Sequence, residues 1–274
     1  MKFKWNRKNI IMLCIALISI ICIIIAIIHI IKWRDDNKHT QKMIDDISKV
    51  VDIQEVNPDE NNVEVIEPVE EVEESNPYWD YIKMNLIHVD FKELKNINSS
   101  TVGWIQVNGT NINYPFVQTT NNQYYLTHSF DKSYNSAGWV FLDYRNNLST
   151  LDKNTIIYAH GRLDTTMFGS LKNILSSGWL NNESNYVIKL STEYENTLWQ
   201  VFSVYHIATT NDYIRTNFKN NQNFLDFADM LINRSAYNFN TTINENDHIL
   251  TLSTCYNDNE KVVLHAKLIK KETR

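Results

Sequence analysis

Cys255 is the residue of this sequence best suited to nucleophilic chemistry. It is the only cysteine after Cys22, and it ends the strand-like run DHILTLSTC, directly before the polar stretch YNDNE. A thiol at a strand end beside a loop is accessible, but it attacks as a thiolate and needs a lowered pKa or an adjacent base. A free cysteine is more often a small buried hydrophobe, so Cys255 considered alone leaves both interpretations open.

His160 is the best-placed candidate for that base. The residues from 78 onward contain six histidines: His88, His128, His160, His206, His248 and His265. His160 closes the strand-like run NTIIYAH, so it occupies the same kind of position as Cys255, and two strand ends can meet at one rim of a barrel. His265 lies in mid-strand in KVVLHAKLI and shares a face with Val263 and Lys267, which we expect to be the wetter face. The other four are expected to be surface or hydrogen-bonded core residues.

Other chemistries find little support in the sequence. One cysteine and a distant histidine do not match the usual spacing of zinc ligands, and no second thiol follows residue 22. Glycine-rich phosphate loops and long basic stripes are absent, and the formal net charge is -6. We therefore expect no metal, no cofactor and no nucleic-acid partner.

Short β-rich runs are the elements that would position these residues. They are rich in Val, Ile, Tyr, Trp and Thr and are separated by Gly, Asn, Asp and Ser clusters: GWIQVNGTNINYPFVQ, AGWVFLDYR, NTIIYAH, NYVIKLS, TLWQVFSVYHIA, DHILTLSTC and KVVLHAKLI. This spacing predicts a closed or nearly closed β-barrel. The stretch NNQNFLDFADMLINRSAY has helical spacing and predicts a helix inserted between two strands. YWDYIKMNLIHVDFKELKNI, with Leu86 and Val89 among its apolar positions, predicts one or two further helices.

An apolar segment near the N-terminus is predicted to anchor the chain in a membrane. Residues 10–31 contain no charged residue and, at about 1.5 Å per residue, can cross a hydrocarbon core about 30 Å thick. A cleaved signal peptide is the competing interpretation, but the run is longer than a typical signal core and no cleavage motif follows it. Four basic residues precede the segment: Lys2, Lys4, Arg7 and Lys8. This excess favours a cytoplasmic tail of residues 1–9 and an extracytoplasmic remainder in the cell membrane.

Residues 32–77 are predicted to connect the anchor to the folded domain. Met43, Ile47 and Val50 have helical spacing and indicate a short juxtamembrane helix. The following stretch, EVNPDENNVEVIEPVEEVEESNP, has many acidic residues and no Lys or Arg, so we expect an extended linker. The folded domain is then expected to occupy residues 78–274.

These motifs, taken in order, resemble the class B sortases. TLSTC matches the family's Thr-Leu-x-Thr-Cys, and YAHGRLDTTMFGSL resembles the family's histidine segment through His160, Met167 and Phe168. GWIQVNGTNINYPFVQ, QYYLTHSF, FLDYRN and the inserted helix add to the similarity. The resemblance extends over about 78–271, and the ordered set is far more specific than TLSTC alone.

The resemblance implies a mainly β fold, a sortase-like eight-stranded β-barrel with N-terminal helices and one inserted helix, preceded by a single transmembrane helix. It also implies a membrane-anchored cysteine transpeptidase that attaches surface proteins to the cell wall of Gram-positive bacteria. Cys255 would attack the threonine carbonyl of a C-terminal sorting signal and form a thioacyl enzyme, with His160 as general acid and then base. The implied partners are a sorting-signal peptide, NPQTN-like or related, and an amine of the peptidoglycan precursor.

One position departs from the family pattern. Sortases carry an arginine on the strand after the cysteine, and this sequence has Lys261 there when KVVLHAKLI is aligned through its Ala-Lys. Lysine keeps a positive charge for a developing oxyanion but loses the planar fork of arginine. Three possibilities remain open: Lys261 acts with reduced efficiency, Arg145 or Arg162 reaches the site, or activity is weak.

For the peptide groove, the resemblance implies eight residues: Asn122, Leu126, Tyr158, Thr209, Tyr213, Ile214, Ser253 and Thr254. Packing in the core explains each of them about as well. Two other functions also remain open. One is a thiol hydrolase that releases its acyl group to water, and the other is a catalytically impaired binding module that uses the barrel as a docking surface.

Overall fold

The computed structural model describes residues 6–57, 62–66, 76–257 and 259–274, with the backbone alone for 255–257. Two parts of the predicted linker, 58–61 and 67–75, lie outside the described residues, as do Lys2 and Lys4.

The described chain contains five α-helices and eleven strands. The helices are α1 (Arg7–Val50), α2 (Tyr78–Tyr81), α3 (Lys92–Ile97), α4 (Ser177–Leu180) and α5 (Asn221–Arg234). The strands are β1 (Asp52–Val56), β2 (Val63–Val65), β3 (Leu86–Asp90), β4 (Thr101–Val107), β5 (Asn113–Val117), β6 (Phe141–Leu142), β7 (Asn154–Tyr158), β8 (Val187–Thr192), β9 (Glu195–Ala208), β10 (Ile249–Asn257) and β11 (Glu260–Thr273).

Eight of the strands close into a barrel. The order around it is β4, β5, β6, β7, β10, β11, β9 and β8, and β8 pairs with β4 to complete the circle. β7 and β10 run parallel, as do β5 and β6, and the other neighbouring pairs are antiparallel. Closure leaves these strands without a free edge. The predicted eight-stranded barrel is confirmed.

The alternation of side chains along β11 builds two apolar layers. Val262 and Leu264 point into the barrel and join its main core, whereas Val263 belongs to a second cluster on the outer surface. The predicted inserted helix, α5, covers that outer surface. Its Phe224, Phe227, Ala228 and Leu231 follow the i, i+3, i+4, i+7 pattern of one helix face, and all four are buried.

The layer under α5 corrects the expectation for the outer face of β11. His265 is completely buried there, and Lys267 is nearly so. Lys267 Nζ pairs with the carboxylate of Asp247 at 2.9 Å, which compensates its burial. The prediction of a wet face failed because alternation along one strand does not show what packs against its outer side.

α1 is one unbroken helix of 44 residues. In the part of the chain that the structure describes, it is the helix that is long and apolar enough to cross a membrane. The juxtamembrane helix expected around Ile47 is the second half of α1. That half packs against the barrel, since Thr40 and Ile47 are buried.

Two segments differ from their predicted structure. The run that includes Leu86 and Val89 was predicted to be helical but forms β3, which pairs with β1. Both faces of β3 are largely buried, so its apolar residues fall at a spacing that resembles a helix. The acidic segment is not an extended spacer throughout, because its first two residues end β1 and it contains β2, which pairs with the end of β11.

Candidate active site

Strand pairing at one rim of the barrel brings the backbones of Cys255 and Lys261 together, beside the strand that precedes His160. Cys255 lies on β10 directly opposite Lys261 of β11. On its other side β10 runs parallel to β7, with Ser253 opposite Tyr158. β7 ends at Tyr158, and His160 follows that end by two residues at the same rim. The backbone of Cys255 therefore pairs with Lys261 on one side, and the strand on its other side leads to the histidine.

A cavity of about 290 Å³ opens at this rim. Its lining includes every residue predicted for the peptide groove: Asn122, Leu126, Tyr158, Thr209, Tyr213, Ile214, Ser253 and Thr254. His160 and Lys261 line the same cavity. The described lining also includes Phe141, Ala159, Thr210 and Asn211. These walls combine apolar side chains with a few polar groups, as is typical of sites that bind small ligands or peptides.

The imidazole of His160 is oriented by the backbone. Its Nε2 lies 2.8 Å from the carbonyl oxygen of Leu126, in the short helical turn Tyr124–Leu126. A carbonyl oxygen only accepts hydrogen bonds, so Nε2 must carry a hydrogen. Nδ1 is then the nitrogen available to donate or accept a proton if His160 acts as a general acid and base.

A buried carboxylate, Asp143, connects several walls of the cavity. It accepts hydrogen bonds from Arg145 Nε at 2.8 Å and Nη2 at 2.7 Å, from the Tyr158 hydroxyl at 2.9 Å and from Asn122 Nδ2 at 2.9 Å. Burial raises the pKa of Asp143, but these hydrogen bonds, led by those of Arg145, outweigh it and keep the pKa below its usual value. Burial and the same carboxylate raise the pKa of Tyr158, so its hydroxyl stays protonated and donates to Asp143.

Arg145 extends this network to the loop 209–216, which forms the opposite wall. Its Nη2 donates to the carbonyl oxygen of Ile214 at 2.9 Å. The Tyr213 hydroxyl also shares a hydrogen bond of 2.9 Å with Ser253 Oγ. Backbone and side-chain bonds thus hold the loop against the rim without any ligand.

The two arginines considered as replacements for the family arginine are engaged elsewhere. Arg145 holds Asp143 and Ile214, and Arg162 pairs with Asp164 at 2.9 Å and also contacts α1. Neither is among the residues that line the cavity. Among the lining residues that the structure describes, Lys261 is the lysine or arginine, which leaves it as the cation candidate.

The described residues contain no cluster of candidate metal ligands. Within the described ranges, no group of three or more His, Cys, Asp or Glu side chains is arranged to hold a metal ion.

Sequence reasoning missed Asp143 and Arg145 as supports of the cavity. Both lie in FLDYRN, a stretch that is similar to class B sortases, but nothing in its pattern shows that the carboxylate is buried behind Tyr158 and Asn122. A charged residue directly after a short apolar strand is an ambiguous signal, because most such residues are solvated.

Comparisons with known proteins agree with this architecture. A family model described as the sortase domain matches residues 105–269. The chain is 37% identical over 188 residues to sortase B of Staphylococcus aureus, and the match covers 67% of this chain and 76% of that protein.

Solved structures give the same result. The Staphylococcus aureus sortase B–substrate complex is similar with a TM-score of 0.62 at 38% identity, covering 66% of this chain and 84% of that one. A structure of sortase B complexed with triglycine is similar with a TM-score of 0.62 at 30% identity, covering 86% of this chain and 96% of that one.

Proposed function

Because this chain belongs to the sortase family, class B, we propose that it is a membrane-anchored transpeptidase that cleaves a C-terminal sorting signal after threonine and joins the product to a peptidoglycan amine. The observation that carries this proposal is that His160 and Lys261 line one partly apolar cavity and that the backbone of Lys261 pairs with that of Cys255.

In the first half of the reaction, the thiolate of Cys255 attacks the carbonyl carbon of the substrate threonine. The C–N bond then breaks, a thioester forms between Cys255 and the threonine, and the departing amine takes a proton from Nδ1 of the His160 imidazolium. The bond from His160 Nε2 to Leu126 keeps the ring oriented during this transfer. Orientation of this kind lets proton transfer accompany bond cleavage.

In the second half, an incoming amine attacks the thioester. It loses a proton to Nδ1 of the now neutral His160, the C–S bond breaks, and an amide forms as the Cys255 thiolate leaves. One solved relative is a complex with triglycine, which supports a short glycine amine as a nucleophile for this chain also.

Lys261 is proposed to stabilise the negative charge that develops on the threonine carbonyl oxygen. Its backbone is the strand partner of Cys255 between β10 and β11, and Lys261 also lines the cavity. Loss of one donor at such a position lowers kcat by about 100-fold to 1000-fold in other enzymes. Because an ammonium is a single point of charge, we expect weaker positioning than a guanidinium would give.

The peptide is proposed to lie in the cavity between the loop 209–216 and the segment that holds Asn122 and Leu126. The apolar walls provided by Leu126, Tyr158 and Ile214 suit a segment with uncharged side chains. A structure of a relative in complex with its substrate supports this class of ligand. The apolar first part of α1 supports anchoring of the enzyme in the membrane, with residues 1–9 in the cytoplasm.

The direct test uses the full chain in detergent with an NPQTN-like peptide, with and without triglycine. Cleavage with a glycine-linked product supports transpeptidation, whereas cleavage at the same rate without the amine supports the hydrolase. Mass spectrometry should detect an acyl adduct on Cys255. Peptide binding without any adduct would contradict both enzymes and leave the binding module.

Variants of Lys261 separate its role from general charge. Lys261→Ala should lower kcat about 100-fold or more, and Lys261→Arg should retain or raise it. Lys271→Ala on the same strand, which removes an ion pair with Glu64 far from the cavity, is the matched control and should leave kcat unchanged. An unchanged kcat in Lys261→Ala would remove Lys261 from the mechanism.

A further inference from the structure

The helix that is proposed to cross the membrane continues without a break into a second half that packs against the barrel. Its apolar part, residues 10–31, accounts for about 33 Å of helix, which matches the hydrocarbon core. α1 does not break at Ile31 but runs on to Val50. A continuous helix of this kind sets the distance of each later residue from Ile31 along the helix axis, at about 1.5 Å per residue.

The first turns of α1 beyond the apolar part already contact the barrel. Asp36 accepts hydrogen bonds from the backbone N and the Oγ of Ser136. Asn37 accepts one from Arg162, and Thr40 is buried against Asn135, whose Nδ2 donates to it at 3.1 Å. These helix residues lie only about 8 to 14 Å beyond Ile31 along the axis. The loops that hold them are therefore close to the headgroup layer.

Three large apolar or aromatic side chains are exposed at this junction. Trp33 on α1 is 54% exposed, Tyr134 is 59% exposed and Leu163 is 92% exposed. Tyr134 receives the ammonium of Lys32 over its ring at 4.8 Å, and Leu163 directly follows Arg162, which is bonded to Asn37. Three separate segments thus present apolar surface near Ile31, where the apolar part of α1 ends. We call Trp33, Tyr134 and Leu163 the junction patch.

We propose that the junction patch inserts into the headgroup region of the membrane that α1 crosses. This proposal rests on the anchoring given under the proposed function. Tryptophan and tyrosine favour the membrane–water interface because one end of the ring is apolar and the other polar. An almost fully exposed leucine at a loop tip gains from the same environment. Lys32 can meet anionic headgroups from beside the Tyr134 ring.

The patch holds one side of the barrel on the bilayer and so fixes the orientation of the cavity. His160 precedes Arg162 by two residues, a distance of at most about 7 Å along the chain. The candidate acid-base residue is therefore attached to the same loop that contacts the membrane surface.

The test measures the depth of position 163 in the full chain. Cys14, Cys22 and Cys255 are replaced by alanine, Leu163→Cys is labelled with the fluorophore NBD, and the protein is reconstituted in phosphatidylglycerol liposomes that contain headgroup spin-labelled lipid. We expect blue-shifted emission and strong quenching. The matched control is Tyr194→Cys, an exposed position (48%) in the β8–β9 turn, which should show neither effect.

Equal emission and equal quenching at positions 163 and 194 would overturn the proposal. Protection of position 163 from aqueous iodide without quenching by the lipid would also overturn it, because a second protein surface would then cover the patch. Flotation of the same liposomes reports the anchoring separately. Protein that floats but keeps label 163 in water contradicts only the patch, whereas protein that does not float contradicts the anchor itself.

A second variant gives a functional measurement. In a chain that retains its cysteines, Leu163→Asp should lower cleavage of a membrane-tethered peptide about tenfold and leave cleavage of the soluble peptide unchanged. Equal rates for wild type and Leu163→Asp on the tethered peptide would contradict the proposal.

Discussion

At the residue scale, the space beside His160 depends on a residue without a side chain. Gly138 has φ of 62°, and a Cβ built on it would overlap the carbonyl oxygen of Tyr125 and approach within 3.1 Å of His160 Cδ2. We predict that Gly138→Ala lowers kcat for peptide cleavage at least tenfold, because the carbonyl of Leu126 and the imidazole must both move. The measurement is kcat at a temperature where circular dichroism shows the variant folded.

Gly109→Ala is the control for the strain that any side chain brings to a left-handed backbone. Gly109 has φ of 69°, and its Cβ would meet Asn185, away from the cavity. Both variants should lose stability by about 1 kcal/mol or more. Only Gly138→Ala should lose kcat, and equal activity in the two folded variants would show that the His160 position tolerates the change.

The buried carboxylate of Asp143 gives a second prediction at this scale. In Asp143→Asn, the Arg145 guanidinium loses its charged partner and its hold on the loop at Ile214 weakens. We expect KM for the peptide to rise about tenfold, equivalent to about 1.4 kcal/mol, with a smaller change in kcat.

The pair Arg162 and Asp164 has the same two-residue spacing, but Arg162 contacts Thr166 and α1 instead of residues that line the cavity. Asp164→Asn should therefore leave KM within about twofold of wild type. An equal rise in KM for both variants would indicate general destabilisation instead of positioning by Asp143.

At the element scale, the layer between α5 and the barrel contains a histidine of defined protonation. The hydroxyl of Thr251 donates to Asn154 Oδ1 at 2.7 Å, so Thr251 Oγ1 must accept from Nδ1–H of His265 at 2.9 Å. Nε2 is then the acceptor for the Tyr205 hydroxyl at 2.8 Å. This arrangement fits a neutral His265, in which Nδ1 donates and Nε2 accepts.

Burial of this ring predicts that acid weakens the fold. Burial, with a smaller effect of Arg234, lowers the pKa of His265 to about 3, whereas the unfolded chain has about 6.5. The unfolded state therefore binds a proton first, and stability is lost as the pH falls from about 6.5 towards 3. Between pH 7.5 and 5 we expect a loss of about 2 kcal/mol from this group, measured by urea unfolding.

His265→Gln tests the assignment, because glutamine can donate and accept but does not titrate. The variant should be less stable at pH 7.5, yet it should lose about 2 kcal/mol less than wild type on acidification to pH 5. An unchanged pH dependence would show that other groups control the acid sensitivity.

Elements whose residues form a clear local pattern were predictable from the sequence. Surfaces formed by segments that are distant in sequence were not. β4, β5 and β7 to β11 follow β-rich runs, and α5 follows a helical apolar pattern, because each pattern is local. The burial of His265 depends on α5, which lies some thirty or more residues earlier in the chain. β2 lies in an acidic segment where composition favours an extended linker, and its pairing with β11 is what makes it a strand.

The candidate site shows the same limit. The histidine and cysteine positions and the groove residues were inferred from motifs, and the structure places the histidine and the groove residues around one cavity. The support by Asp143 and Arg145 is a contact between segments 122, 143, 158 and 214, which no local pattern contains.

At the scale of the whole molecule, the second half of α1 is part of the folded domain. Ile47 is 2% exposed in the main core cluster, whereas Val50 on the same helix is exposed. In a soluble chain that begins at Lys32, Ile47→Ala should lower the free energy of unfolding by about 2 to 4 kcal/mol. Val50→Ala is the matched control and should change it by less than about 0.5 kcal/mol. Equal small effects, measured by urea unfolding, would show that α1 does not belong to the cooperative unit.

The unbroken α1 also has a kinetic consequence. In the membrane anchoring proposed above, a flexible tether would let the enzyme sample a volume. The continuous α1 would instead confine the cavity to a thin layer at constant height over the lipid, so that encounters with substrate would become a search in two dimensions. A substrate protein held in the same membrane by its own apolar tail would then react fastest at one spacer length. That length is the one at which the residues between its sorting-signal peptide and its tail span the height of the cavity. Substrate selection would depend on spacer length as well as on the sequence of the sorting signal.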